Sequence, residues 1–327
     1  MKKFVRILGR VALVLILIIA CIIGYIKTAL PNVGDAPNIT VERTPERIAR
    51  GEYLANHVTV CIDCHSTRDW SRFSGPITEG TLGKGGELFD QKFGFPGAFY
   101  SRNITPEGIS KYTDGELLRV ISTGVNREGK AMFPVMPYHH YGQMDEEDIK
   151  SIIAYIRTLK PIKNEVPASS PDFPMTIILN TIPQKASFAK KPEETDVVNY
   201  GKYLVNAASC IDCHTQMDKG KLMEGKEYAG GREFPFPDGS VVRSSNISPD
   251  AGSGIGSWNE ARFLSVFHNN TDSALLAKKI APGEYNTIMP WTMYATMKES
   301  DLKAIYAYLK TVKPISNSVI KFTAGKK

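Results

Sequence analysis

The sequence predicts an all-α protein of two tandem domains with long loops, preceded by one N-terminal transmembrane helix. Three observations lead to this fold class. The first thirty residues are strongly apolar, the rest of the chain is an imperfect duplication, and apolar residues recur at helical spacing at matching places in both copies. A length of 327 residues is enough for about two domains of ordinary size.

The N-terminal segment, residues 1–30, starts with a positive stretch and continues with sixteen uncharged residues, 11–26. A spanning helix needs about 20 apolar residues, and Arg10 and Lys27 can extend this run by snorkelling to the interfaces. The positive flank predicts a cytoplasmic N-terminus, with residues from Thr28 onward outside the cytoplasm. Two alternatives to an uncleaved anchor stay open: a lipoprotein signal that leaves Cys21 lipidated, and a plain cleaved signal.

The formal net charge of +6 comes almost entirely from this segment, because five of the six charges lie in the first 27 residues. The remainder is close to neutral and lacks the concentrated basic face of a nucleic-acid-binding protein. No nucleic-acid partner is therefore expected.

The duplication is centred on the pentapeptide CIDCH, which stands at 61–65 and again at 210–214. Matching stretches surround both copies: G-x-Y-L before them, then N-I-[TS]-P, and later M-P-[YW] at 136–138 and 289–291. The offset grows from 149 residues at the cysteines to 153 at the Met-Pro pairs. A period of this length indicates whole domains, placed at 45–161 and 197–315, with a strap at 162–196 between them.

The secondary structure is predicted from periodicity. Apolar residues recur at i, i+3, i+4 and i+7 from Ile149, and the second copy repeats the spacing from Leu302, so each copy should end in an amphipathic helix. Another helix should lead into each CIDCH, and the Gly- and Pro-rich stretches should form long loops. The strap is expected to be ordered, with Phe173 and residues 177–179 buried on the domains.

The spacing C-x-x-C-H is the attachment signature of c-type haem. Two residues on a helical turn separate Cys61 from Cys64, and Cys210 from Cys213, so that each pair can bond the two vinyl groups of one porphyrin. The following histidine, His65 or His214, would then ligate the iron. A zinc site, a thioredoxin-like pair and structural disulfides are the alternatives, but none requires a histidine directly after both pairs. The sequence thus predicts two covalently bound haem c groups.

The sixth iron ligand is assigned to Met136 and Met289, since these methionines occupy the same place in the repeat and each precedes a proline. Methionine is more often core filler, which is the interpretation for the repeated pair Met144 and Met297. Met132 and Met293 have no counterparts. His139 or His140 could replace Met136 in the first copy, whereas His57 and His268 are expected to be surface residues.

Taken together, these motifs resemble the repeated domain of membrane-bound bacterial cytochrome c proteins, above all the cytochrome c subunit of alcohol, aldehyde and gluconate dehydrogenases. The resemblance runs from about residue 46 to 314. It implies the all-α cytochrome c fold, covalent haem on Cys61, Cys64, Cys210 and Cys213, and axial ligands at His65, Met136, His214 and Met289. Such subunits usually carry three of these domains, whereas this sequence has two.

The resulting hypothesis is a dihaem electron carrier in the bacterial inner membrane that faces the periplasm. It would pass single electrons from a respiratory or dehydrogenase donor to another cytochrome or a terminal oxidase, without catalysis of its own. The alternatives are a dihaem peroxidase-like enzyme with one open iron and a structural haem subunit of a respiratory complex.

Overall fold

The computed structural model describes residues 1–271, 273–281 and 283–325. Its helices are short apart from the first. In chain order they are α1 (Lys2–Ala29), α2 (Pro45–Tyr53), α3 (Cys61–Cys64), α4 (Pro106–Ile109), α5 (Asp114–Thr123), α6 (Tyr138–Tyr141), α7 (Glu146–Ile156), α8 (Met175–Ile178), α9 (Val197–Ala207), α10 (Cys210–His214), α11 (Glu260–His268), α12 (Ser273–Ala277), α13 (Trp291–Tyr294) and α14 (Glu299–Leu309).

The predicted amphipathic helices are confirmed as α7 and α14, and the helices that lead into CIDCH are confirmed as α2 and α9. Local signals explain where α7 begins. The side chain of Asp145 accepts a hydrogen bond from the Glu147 backbone at the N-terminus, and three acidic residues of the first turn suit the helix dipole. The apolar face that starts at Ile149 is buried, as is the matching face from Leu302.

Each half is built on one close helix pair, α2 against α7 and α9 against α14. A glycine lies at each crossing. A Cβ atom on Gly51 would lie 1.8 Å from the Ser151 carbonyl oxygen, and one on Gly201 would lie 1.9 Å from that of Ala304. Only glycine lets these backbones approach so closely, which explains why G-x-Y-L is repeated before both CIDCH segments.

The N-terminal helix α1 is one continuous helix of 28 residues, about 42 Å long at 1.5 Å per residue. It is longer than the run predicted at 11–26 and includes the charged flanks. Its most apolar 18-residue window has a mean hydropathy of 2.9, and none of that window is buried. By length and composition, α1 can cross a membrane.

The prediction of an all-α fold needs correction, because the loops contain short strands. Two three-stranded antiparallel sheets and one hairpin lie in the described residues. The Gly-, Pro- and aromatic-rich stretches predicted as loops are extended, and extended neighbours satisfy their backbone groups by pairing. The strands are β1 (Leu88–Phe89), β2 (Gly97–Tyr100), β3 (Ser170–Pro171), β4 (Met217–Asp218), β5 (Lys221–Leu222), β6 (Glu233–Pro235), β7 (Val241–Arg243) and β8 (Phe322–Thr323).

The sheets show that the duplication continues past residue 161 into the strap. Strand β3 of the strap pairs with β2 in the first half, as β8 near the C-terminus pairs with β7 in the second. Asn164 donates a hydrogen bond to the Lys84 carbonyl, and Asn317 donates the equivalent one to Ala229. The first ten residues of the strap are therefore part of the repeated unit.

The rest of the strap only partly fits the prediction. It is ordered and contains α8, but Phe173 is 81% exposed and Ile178 is 42% exposed, so the prediction that Phe173 is buried is wrong. Helix α8 and the turn at Leu179–Thr181 contact α1. Asn180 donates from its amide to the carbonyls of Ile26 and Leu30 at 3.3 Å. The strap therefore contacts the anchor helix rather than only the surface of the two halves.

The two halves meet through reciprocal hydrogen bonds that resemble those of a two-fold dimer. Tyr53 in α2 donates its hydroxyl to Asp301 in α14 at 2.6 Å, and Tyr203 in α9 donates to Asp148 in α7 at the same distance. The residues of each pair occupy corresponding places in the repeat. Such self-complementary pairing is the pattern of isologous interfaces between identical subunits.

Candidate functional site

The two CIDCH segments have the same local conformation. The residue before each first cysteine, Val60 or Ser209, has a positive φ, 46° and 53°, and a short helix follows at once. A left-handed residue is unfavourable for valine and persists only where the surroundings impose it. All five cysteines of the chain are free thiols, so neither pair forms a disulfide.

Both histidines are oriented by a backbone carbonyl. The Nδ1 atom of His65 lies 2.6 Å from the Arg102 carbonyl oxygen, and that of His214 lies 2.7 Å from the Ser245 oxygen. Since a carbonyl can only accept, Nδ1 carries the hydrogen and Nε2 carries the lone pair in each ring. Burial lowers the pKa of both imidazoles despite these acceptors, which keeps Nε2 available as a neutral ligand.

The four CIDCH thiols are protonated in this environment. Burial raises the pKa of Cys64 to about 12 and that of Cys210 to about 12, and the pKa values of Cys61 and Cys213 are also raised. Redox-active and metal-binding cysteines have lowered pKa values because the thiolate is the reactive form. The surroundings therefore lack the lowered thiol pKa values of a thioredoxin-like pair.

The aspartate inside each CIDCH has a different set of partners. Asp63 is buried and pairs at 3.0 Å with Arg68, which also contacts Glu87. Asp212 instead faces the first half, where His140 Nε2 lies 3.0 Å from one of its oxygens and His139 Nε2 lies 3.6 Å from the other. Burial acts to raise the pKa of Asp212, but the two neighbouring histidines outweigh it and hold that pKa well below the usual range.

The two methionine candidates sit in equivalent tight turns. The Met136 carbonyl accepts from the Tyr138 backbone at 2.8 Å, and the Met289 carbonyl accepts from the Trp291 backbone at 2.7 Å. Both methionines are partly buried at the edge of the hydrophobic core, as are Cys61 and Cys210. The repeated M-P-[YW] motif thus encodes one backbone turn in both halves.

The turn that carries Met289 is braced by the first half. The hydroxyl of Ser74, which is buried, donates to the Met289 carbonyl at 2.7 Å, and the Ser74 backbone donates to Asn286 at 2.9 Å. The Asn286 amide in turn donates to the carbonyls of Trp70 and Arg72. The segment 67–76, whose sequence differs from that of the second copy, therefore contacts the second methionine turn from the first half.

The remaining residues singled out in the sequence are placed as follows. Met144 and Met297 are buried in the core, which fits a packing role. His268 is exposed as expected, whereas His57 is half-buried and its Nδ1 lies 2.7 Å from Thr296 Oγ1 of the second half.

Comparison with known proteins identifies the second half. Residues 198–313 match the family model of cytochrome c. These residues form a cytochrome c domain. The family binds haem c covalently, so haem c is the cofactor of this domain.

Relatives cover both halves. The chain is 29% identical over 278 residues to the fructose dehydrogenase cytochrome subunit of Gluconobacter japonicus, and 28% identical over 297 residues to the gluconate 2-dehydrogenase cytochrome c subunit of Pantoea cypripedii. These matches cover 81% and 84% of the chain, but only 52% and 62% of the relatives. A diheme cytochrome c-type protein of Cereibacter sphaeroides is 26% identical over 78% of the chain and 82% of its own length.

The residues present in the cytochrome c domain fit a covalently bound haem. Cys210 and Cys213 are free thiols on one helical turn, and His214 presents an unprotonated Nε2 because Ser245 holds its Nδ1. Met289 adds a soft sulfur at the edge of the same core. The first half has the corresponding residues in the corresponding conformations.

Some functional contacts were missed by sequence reasoning. The pairing of Asp212 with His139 and His140, and that of Ser74 with Met289, join residues more than 70 and more than 200 positions apart. A weak signal existed for the first of these, since the second copy has Thr292 and Met293 where the first has the two histidines. At this position the two copies therefore present different side chains to their surroundings.

Proposed function

We propose that the chain is a dihaem electron carrier in which residues 45–161 and 197–315 each hold one haem c. The observation that carries this proposal is the duplicated geometry: a left-handed residue, two free thiols on a turn, and a histidine whose Nδ1 is held by a backbone carbonyl occur in both halves. The second of these halves is a cytochrome c domain.

Each residue has a defined role in this proposal. The thiols of Cys61 and Cys64, or Cys210 and Cys213, would attach the ring, and Nε2 of the following histidine would hold the iron on one face. Met136 and Met289 would hold the opposite face. The bound haem supplies a one-electron couple, and the soft thioether sulfur favours the ferrous state.

The structure favours Met136 over the two neighbouring histidines. Both ring nitrogens of His140 are already engaged, with Asn206 Oδ1 at 2.8 Å and with Asp212 at 3.0 Å. The Nε2 atom of His139 also points to Asp212. These rings are thus turned toward the second half, and methionine in both halves is the simpler assignment.

A dehydrogenase is the electron donor that the relatives suggest, because their names describe cytochrome subunits of fructose, gluconate and alcohol dehydrogenases. We propose that a partner of this type reduces one haem and that another cytochrome or a terminal oxidase accepts the electron. In this role the chain carries electrons and catalyses no substrate reaction of its own.

We propose that α1 anchors the chain in the bacterial inner membrane with both halves in the periplasm. The strap supports this placement because α8, which includes the exposed Ile178, contacts α1. Phe173, two residues before α8, is an exposed aromatic residue of the kind found at membrane interfaces. Mass spectrometry of the mature N-terminus tests the anchor directly. An intact Met1 or Lys2 supports it, whereas a chain that begins at lipidated Cys21 would replace it.

The experiment for the carrier function uses the full haem-loaded chain in detergent. We expect the reduced visible spectrum to be unchanged by carbon monoxide, because both irons have two strong protein ligands, and we expect rapid electron exchange with a soluble cytochrome c. Carbon monoxide binding at one haem, together with peroxide consumption, would contradict the carrier and support a peroxidase-like enzyme.

A further inference from the structure

A cluster of metal-binding side chains lies at the junction of the two halves. His139 and His140 from α6 meet Asp212 from α10, and their ligand atoms all lie within 4.8 Å of one another. Within the described part of the chain this is the one group of three or more His, Cys, Asp or Glu donors that meets this criterion. The carrier function proposed above uses none of the three side chains.

The spacing of the donor atoms suits a small tetrahedral cation. A zinc ion with ligand bonds of ~2.0 to 2.1 Å places neighbouring ligand atoms ~3.3 Å apart. The Nε2 atoms of His140 and His139 lie 3.0 Å and 3.6 Å from the Asp212 carboxylate oxygens. The two imidazole rings are 4.2 Å apart between centroids, so both can face one ion.

The protonation of His140 is set by Asn206. The Asn206 amide nitrogen donates to the His140 carbonyl at 3.0 Å, which leaves its Oδ1 to face His140 Nδ1 at 2.8 Å. Oδ1 can only accept, so Nδ1 carries a hydrogen. In the neutral ring the lone pair of Nε2 then points at the negatively charged oxygen of Asp212.

Two lone pairs that face each other at 3.0 Å repel, so this arrangement requires a cation between or on them. A second proton on His140 would satisfy the requirement, and so would a metal ion. The Asn206 contact suits a metal ligand, since histidine ligands characteristically donate their other ring N–H to an oxygen acceptor that fixes the tautomer.

The cluster is also accessible. The side chain of His140 is 10% exposed and that of Asp212 is 21% exposed, whereas His139 is 44% exposed and forms the open side. An ion can therefore enter from solvent, and water can occupy the fourth position. Two imidazole nitrogens and one carboxylate oxygen form a donor set that suits zinc better than calcium or magnesium, which prefer oxygen ligands.

We propose that His139, His140 and Asp212 form a zinc-class divalent metal site that ties the first half to the second CIDCH segment, with Asn206 as the residue that positions His140. The site would join two segments that the fold otherwise connects only through side-chain contacts. It does not depend on electron transfer by the chain.

The test is a titration of the full haem-loaded chain with Zn²⁺ against a chromophoric chelator. We expect one saturable site per chain. His139→Ala and His140→Ala should each weaken binding by more than about 10-fold, and Asn206→Ala should weaken it by about 10- to 100-fold, as removal of a residue that orients a ligand does.

His57→Ala is the matched control, because His57 also contacts the opposite half but belongs to no group of three such donors among the described residues. This variant should bind Zn²⁺ like the unmodified chain. The haem spectrum of every variant reports that it is folded. X-ray absorption at the zinc edge should show only nitrogen and oxygen ligands. Absent binding, equal binding by His140→Ala, or sulfur ligation would each overturn the proposal.

Discussion

The two CIDCH segments differ in which half supplies the side chains that contact them. In the first half, Asp63 is paired with Arg68 of the same half, which also contacts Glu87, and the Met136 turn follows Phe133, which stacks on Phe99 at 4.2 Å. In the second half, Asp212 is contacted by histidines of the first half, and the Met289 turn is held by Ser74 of the first half.

This difference shows how a duplicated unit becomes asymmetric. Some hydrogen bonds to the backbone are the same in both copies. The Tyr141 hydroxyl donates to the Thr59 carbonyl, and the Tyr294 hydroxyl donates to the Ala208 carbonyl, both at 2.9 Å. The side-chain contacts of the two CIDCH aspartates have diverged. The first half should therefore form its site alone, whereas the second should need the first half for its final geometry.

The largest effect is expected from substitution of the two glycines that occupy the same place in each half, Gly51 and Gly201. Gly51→Ala and Gly201→Ala would each drive a methyl group into a backbone carbonyl of the facing helix, at a cost of about 3 kcal/mol or more in unfolding free energy. Urea unfolding followed by circular dichroism measures this. Gly252→Ala is the control, because its added Cβ would meet only Asp250 at 3.7 Å. Equal stability of all three variants would contradict the packing described here.

The methionine turns provide the next comparison. Met136→Ala and Met289→Ala should each open one iron to carbon monoxide, so that half of the haem absorbance shifts in either variant and all of it in the double variant. Met144→Leu and Met297→Leu, which change only buried core residues, should leave the spectrum unaltered. If a variant at 136 or 289 stays insensitive to carbon monoxide, the methionine at that position is not an iron ligand.

The reciprocal tyrosines test whether the interface is symmetric. Tyr53→Phe and Tyr203→Phe each remove a hydroxyl bonded to a carboxylate of the other half, which should cost about 1.5 to 3 kcal/mol, and the two losses should be similar. Tyr155→Phe is the control within one half, since its hydroxyl only accepts from Asn56. Unequal losses at 53 and 203, measured by denaturant unfolding, would show that one contact dominates the interface.

The smallest effect is expected from loss of the hydrogen bond between Ser74 and the Met289 turn, one of the contacts that differ between the two halves. Ser74→Ala removes the hydrogen bond to the Met289 carbonyl, worth about 1 kcal/mol, and should change the reduction potential of the second haem alone. Ser71→Ala, at an exposed position of the same segment, should change neither potential. A potentiometric titration that resolves both haems decides this, and a shift confined to the first haem would contradict the proposed role of segment 67–76.

Much of the local structure could be predicted from the sequence because it is set by short-range patterns. The helices α2, α7, α9 and α14 follow from apolar periodicity, and the CIDCH and Met-Pro motifs mark equivalent turns in both halves. The short strands could not be predicted, since segments of two to four residues are too short to show an alternating pattern.

Contacts between the halves were not predictable for a different reason. Tyr53 and Asp301 lie 248 residues apart, and no pattern in one chain reports which distant residues meet. Phe173 shows the same limit, because an apolar residue in a proline-rich strap suggests burial in the protein, whereas its side chain is exposed. Both cases depend on how the halves and the anchor helix are arranged.

The central claim is that both halves carry a covalent haem, and intact mass spectrometry of the matured full chain tests it most directly. The account predicts a mass increase of two haems for the unmodified chain and of one haem for either Cys61→Ser with Cys64→Ser or Cys210→Ser with Cys213→Ser. An unmodified chain with a single haem, lost entirely in one of these double variants and retained in the other, would contradict it.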